Sequence, residues 1–150
     1  MNAPVGNIAA AATVSSIDQI HIWRSKFLDY SARCETRLRL LHHLQSPKCE
    51  TFLQIKALAT TVKAGCQNCT NLAEAIDELL PLIELRAGLA HSVVTLLNVN
   101  AQQTAVFVNA DNKARYGRNA LMLDINERDN ALTKIKNIAD RLKRYQKIAS

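Results

Sequence analysis

The sequence predicts an all-α chain, an up-and-down helical bundle with a small β-hairpin excursion before its last helix. Three observations predict it. Ile20, Phe27, Cys34 and Leu41 recur at heptad spacing through a first stretch too long for a strand. Two further apolar-periodic stretches follow, separated only by short punctuation, "QSPKC" and "GCQNCTN". The β-rich runs are confined to residues 104–123, just ahead of a final periodic and basic segment.

Ser15 or Ser16 caps the first helix, which runs to about Gln45; Ile17, Tyr30 and Leu38 widen its apolar stripe, and Arg24, Lys26, Arg33, Glu35, Arg37 and Arg39 take the opposite face. Pro47 disfavours helical conformation at Ser46 and ends it. A second helix is predicted from about Cys49 to Ala64, with Phe52, Ile55, Leu58 or Ala59, and Val62 inward. Gly65 terminates it, and Thr70 or Asn71 begins the third near Leu72. Pro81 removes one backbone donor from that helix, so a kink or a restart is expected there. The strands of the hairpin are read at Thr104 to Val108 and Ala120 to Leu123. Asp124 with Glu127 forms a capping-box start for the last helix, in which Leu132, Ile135, Ala139, Leu142 and Tyr145 line one side. Residues 1–14 read as a flexible small-residue tail and 15–150 as a single domain.

At 150 residues the chain is long enough for one real core, and 21% charged with 48% apolar residues is a globular composition. No apolar run approaches the length a bilayer requires, and the first residues carry no basic segment of a secretory signal, so a cytoplasmic chain is expected. A formal charge of +6 favours polyanionic partners, nucleic acid among them. Four cysteines without export signals are expected as thiols. Cys66 and Cys69 form C-Q-N-C, a metal or redox pattern, to which Cys49 and His42 or His43 would have to be added for a zinc site. No second CxxC and no βαβ context accompany it, so no metal and no other cofactor is expected.

The chemistry concentrates in "LIELRAGLAHSVV", residues 82–94. Read as one helix through Leu96, it turns Leu82, Leu85, Leu89, Val93 and Leu96 to the core. Ile83, Ala87, Ala90 and Val94 form a second apolar strip, flanked by Arg86 and His91. A helix apolar on two sides must bury both, either within its own bundle or against another chain, and the small alanines allow the close approach of a second copy, so the strip is a candidate dimer interface. Arginine offers a permanent charge and a fork of donors suited to phosphate; histidine both accepts and donates protons near neutrality. Together such groups cleave RNA without metal. A base takes the 2′-hydroxyl proton, the oxygen attacks phosphorus, an acid protonates the leaving 5′-oxygen, and arginine stabilises the added negative charge. One histidine does not readily serve both proton transfers, whereas two copies across a two-fold axis supply two.

Arg86, four residues, then His91, in the setting "LIELRAGLAHS", resembles the signature of the HEPN superfamily, with Leu89, Ala90 and His91 matching its "LAH" end. The resemblance implies a dimerising helical bundle in which two motifs face each other. It also implies a metal-independent endoribonuclease of the toxin–antitoxin, phage-defence or RNA-restriction kind, with Arg86 and His91 as the catalytic pair. An antitoxin or other regulatory protein is a further partner implied by that family. Ala87 departs from the polar residue usual after the motif arginine.

Other residues carry weaker signals. Lys113, Arg115 and Arg118, with Tyr116 among them, form a basic stretch suited to an RNA backbone or simply to a soluble hairpin tip. His42 and His43 close the first helix and suit its C-terminal dipole. Glu35 and Glu84 read as solvated face charges, with orientation of His91 the sharper alternative. Two other function classes stay open: a catalytically inactive HEPN-like RNA-binding or protein-interaction module, and a metal-stabilised adaptor built on Cys66 and Cys69.

Overall fold

A computed structural model describes residues 16–66, 68–99, 102–109 and 120–149. The first helix, α1, spans Ser16–Gln45, and α2 spans Ile55–Gly65. The motif helix α3 spans Thr70–Ala90, and α4 spans Ile125–Ala149. Between α3 and α4 lie three strands, β1 (Ser92–Val99), β2 (Gln102–Asn109) and β3 (Ala120–Leu123), in sheet order β1-β2-β3 with both pairings antiparallel. Among the described residues no helix is long and apolar enough to cross a membrane. The tail at residues 1–14 and the basic stretch holding Lys113, Arg115 and Arg118 lie outside the described residues.

The heptad stripe of α1 is buried as its spacing demands, with Ile20, Phe27, Cys34, Leu38 and Leu41 in the core beside Trp23. Ile135, Ile138, Ala139 and Leu142 of α4 pack into the same core. Two polar anchors tie α4 to α1: the Trp23 indole N–H donates to the Arg128 carbonyl at 2.7 Å, and the Cys34 thiol to the Ile135 carbonyl at 3.9 Å. Burial pushes the Cys34 thiol up to about 12. Arg128 is itself buried, which lowers its pKa by desolvation, and its guanidinium satisfies the Leu123 carbonyl at the end of β3. The capping box forms as read: Glu127 N–H donates to Asp124 Oδ1 at 2.8 Å, and Asp124 N–H to Glu127 Oε1 at 3.4 Å.

The chain is therefore not all-α, and the expected helical bundle with a small β-hairpin excursion is corrected to an α+β arrangement in which a three-stranded antiparallel sheet precedes the last helix. The β2–β3 pairing matches the hairpin read in the sequence, with Ala105 opposite Leu123 and Phe107 opposite Leu121. The missing piece was β1. Residues 92–99 are extended, although Leu89, Val93 and Leu96 also fit a helical period. Ser92, Val94 and Leu96 are half-buried while Val93, Thr95 and Leu97 are exposed, the period of two that a half-covered strand requires. The β-branched run Val93-Val94-Thr95 is stiff at χ1 and packs best on a pleated surface. Pairing along all eight residues with β2 then satisfies the backbone groups of β1 that face it.

The sheet covers the amino-terminal half of α1 with its inner face. The Phe107 ring lies 5.9 Å from that of Trp23, which stacks on Phe27 at 5.7 Å. Gly88 of α3 is where the sheet comes close, since a Cβ there would sit 3.9 Å from a Leu121 methyl. Two further expectations shift. Pro81 neither restarts nor interrupts α3 but sits inside it on the exposed side. Phe52 precedes α2, is 76% exposed, and carries the Arg39 guanidinium 4.4 Å above its ring.

Candidate functional site

The end of the motif helix is fixed by the switch from helix to strand. His91 occupies the C-cap of α3 with φ −121° and ψ 29°, and its side chain is exposed. Ser92 Oγ donates back to the Leu89 carbonyl at 3.0 Å, satisfying one of the acceptors a helix leaves open at its end. His91 thus stands at a junction held on both sides: the helix ends before it and the β1 ladder begins after it. It is not a mid-helix residue, as the helical wheel had placed it.

A helix C-terminus is the negative end of the helix dipole, which by itself repels a phosphate. Arg24 of α1 lies at this end of α3. Its Nη1 donates to the Ser92 carbonyl at 2.9 Å, and its Nη2 lies 3.2 Å from His21 Nδ1. Arginine nitrogens only donate, so His21 Nδ1 accepts here, and the ring proton belongs on Nε2. Arg24, with His21 beside it, thus reaches the backbone of Ser92, the residue that follows His91.

Arg86 pairs with another part of α1. Five residues before His91, it would be about 7.5 Å away along an ideal helix axis and about 140° around it. Its Nη2 lies 3.6 Å from Glu35 Oε2, and its side chain is 35% exposed. The other oxygen of Glu35 accepts from Arg39 Nε at 3.2 Å and Nη2 at 2.5 Å. Arg39 Nη1 also donates to the Leu53 carbonyl at 3.1 Å. One carboxylate thus bridges two guanidiniums, leaving the trio with an excess of positive charge. Glu84 pairs across to Lys56 of α2 at 3.4 Å. Both glutamates therefore have cationic partners, and the contacts they make are not to His91.

The strip assigned to a dimer interface is divided by the fold. Ile83 is 6% exposed and belongs to the chain's own core, and Val94 sits on β1, half-buried against that core. Ala87 is half-buried and Ala90 exposed, so only these two stay near the surface of α3. His42 and His43 occupy the last turn of α1, as their reading as dipole partners has it.

Arg24, Arg39 and His21 were the residues the sequence reading did not assign to the site. The i,i+3 spacing of His21 and Arg24 and the i,i+4 spacing of Glu35 and Arg39 were legible locally. What faces those pairs, 68 residues away for Arg24 and Ser92, was not. Comparison of the chain with models of protein families, with curated proteins and with solved structures finds no match.

Proposed function

We propose that the protein is a metal-independent endoribonuclease of the HEPN kind, cytoplasmic and homodimeric, cleaving RNA by attack of a 2′-hydroxyl at a site assembled from two copies. The observation that carries this reading is the placement of Arg86 and His91. Both side chains reach the surface near the end of α3, and Arg86 is paired with Glu35 of α1. A second copy is the simplest source of the missing partner for each. In that arrangement Arg86 engages the scissile phosphate and the two His91 imidazoles share the proton transfers. Arg24 supplies positive charge where the helix end alone would repel the substrate. A regulatory protein that holds the activity in check belongs to the same proposal and rests on family analogy.

The alternative class, an RNA-binding or pairing module without catalysis, is favoured by one observation. Arg86 is engaged by Glu35, and Ala87 offers no polar side chain beside it. Cleavage of labelled tRNA and mRNA fragments in EDTA, by wild type and His91→Ala at matched dimer content, separates the two. The ribonuclease reading expects cleavage that disappears in the variant. RNA binding of equal strength in both proteins, with no cleavage by either, replaces it with the binding module.

A further inference from the structure

The C-Q-N-C turn between α2 and α3 plays no part in the proposed function, and its geometry suits covalent chemistry between its two sulfurs. Cys66 is the C-cap of α2, its N–H bonded to the Lys63 carbonyl at 3.2 Å, and Cys69 is the N-cap of α3. Asn68 between them has φ 69°, the left-handed conformation that reverses a chain in little space. Both cysteines are half-buried, packed against the core, and carry free thiols. Only two residues separate the two thiols, one on each side of the turn, and the Cys69 thiol is near enough to act on Cys66.

The turn is held from below. Gln45 Nε2 donates to the Val62 carbonyl at 3.1 Å, and any Cβ on Gly65 would sit 2.7 Å from Gln45 Oε1. A side chain at Gly65 would displace the Gln45 amide from this position. A metal would need more than this pair. Among the described residues no three His, Cys, Asp or Glu side chains converge, so Cys49, His42 and His43 do not complete a ligand set with the two sulfurs.

We propose that Cys66 and Cys69 form a dithiol that closes reversibly to an intramolecular disulfide by exchange with a low-molecular-weight disulfide. The Cys69 thiolate attacks one sulfur of the oxidant, whose S–S bond breaks and releases one thiolate. A mixed disulfide remains on Cys69. Cys66 then loses its proton to solvent and attacks the Cys69 sulfur, expelling the second small thiolate. Two cysteine thiols are oxidised, one small disulfide is reduced to two thiols, and the protons balance between them. Desolvation, with the neighbouring thiol, pushes Cys66 up to about 11, which accords with Cys66 closing the bond second, and the single variants below test that order.

The test uses the full chain carrying Cys49→Ser, which removes the exposed thiol. After incubation with oxidised glutathione and alkylation of remaining thiols, trypsin releases residues 64–86, Ala64 through Arg86, as one peptide holding both cysteines. The expected product is that peptide lighter by two hydrogens, unalkylated, and restored to two thiols by dithiothreitol. Glutathione retained on either cysteine without the internal bond, or two alkylated thiols, overturns the proposal. Single variants fix the order. With Cys66→Ser, a stable glutathione adduct accumulates on Cys69. With Cys69→Ser, the adduct on Cys66 forms at least about tenfold more slowly. Equal rates overturn the assigned order.

Discussion

Glu35→Gln tests the electrostatic arrangement at Arg86 most sharply, because one carboxylate holds two arginines. The substitution keeps side-chain volume and an acceptor oxygen but removes the charge. The pairs are only partly exposed, Arg86 at 35% and Arg39 at 32% against Glu35 at 23%. Solvent screens them, so each contributes about 0.2–1 kcal/mol, and losing both costs about 0.4–2 kcal/mol of stability. In urea that appears as a lower midpoint with an unchanged slope. The same change frees Arg86 for phosphate. Each added contact to single-stranded RNA should steepen the dependence of log affinity on log salt by about 0.7. Fluorescence anisotropy of a labelled oligonucleotide over a salt series reads this directly. Glu35→Gln should bind more tightly and with a steeper slope, both effects abolished by adding Arg86→Ala. A folded Glu35→Gln protein with unchanged affinity and slope would refute the view that Glu35 restrains a phosphate-binding arginine.

Three further outcomes follow from the same structure. Phe107→Ala removes a fully buried ring packed on Trp23 and should cost about 3–5 kcal/mol, a large part of a small domain's stability, by urea denaturation followed in the far ultraviolet. Asp124→Ala breaks the capping box at the start of α4 and should cost about 0.5–2 kcal/mol, whereas a loss below a few tenths would mean the box contributes nothing to holding that helix. Cys34 should resist iodoacetamide in the native protein at pH 8 and react only on unfolding. Its raised thiol pKa has a second consequence: the stabilising effect is complete below the ordinary value near 9 and is lost as pH rises toward 12, so Cys34→Ala should flatten the alkaline loss of stability.

Much of this fold was legible because local chemistry decided it. Heptad spacing placed α1, the Asp124–Glu127 box placed the start of α4, and β-rich residues placed β2 and β3. Where two periods fit the same residues, the sequence was ambiguous. Leu89, Val93 and Leu96 satisfy a helix, while Val94 and Leu96 satisfy the inner face of a strand, and only the partner β2 resolves the choice. That single ambiguity turned the expected hairpin excursion into a three-stranded sheet and moved His91 from mid-helix to a cap. The same limit hid the rest of the site. Arg24 and Arg39 lie outside the buried heptad stripe of α1, and a helical wheel assigns such positions to solvent. Their partners come from Ser92 and Leu53, contacts that no wheel contains.

The central claim is that RNA is cut by its own 2′-hydroxyl under the control of His91. Analysis of the ends left on a labelled RNA in EDTA tests it most directly. Cleavage by wild type should leave 2′,3′-cyclic phosphate and 5′-hydroxyl ends, and His91→Ala should leave the RNA intact. Ends bearing 3′-hydroxyl and 5′-phosphate, or the same products from the variant, would contradict it.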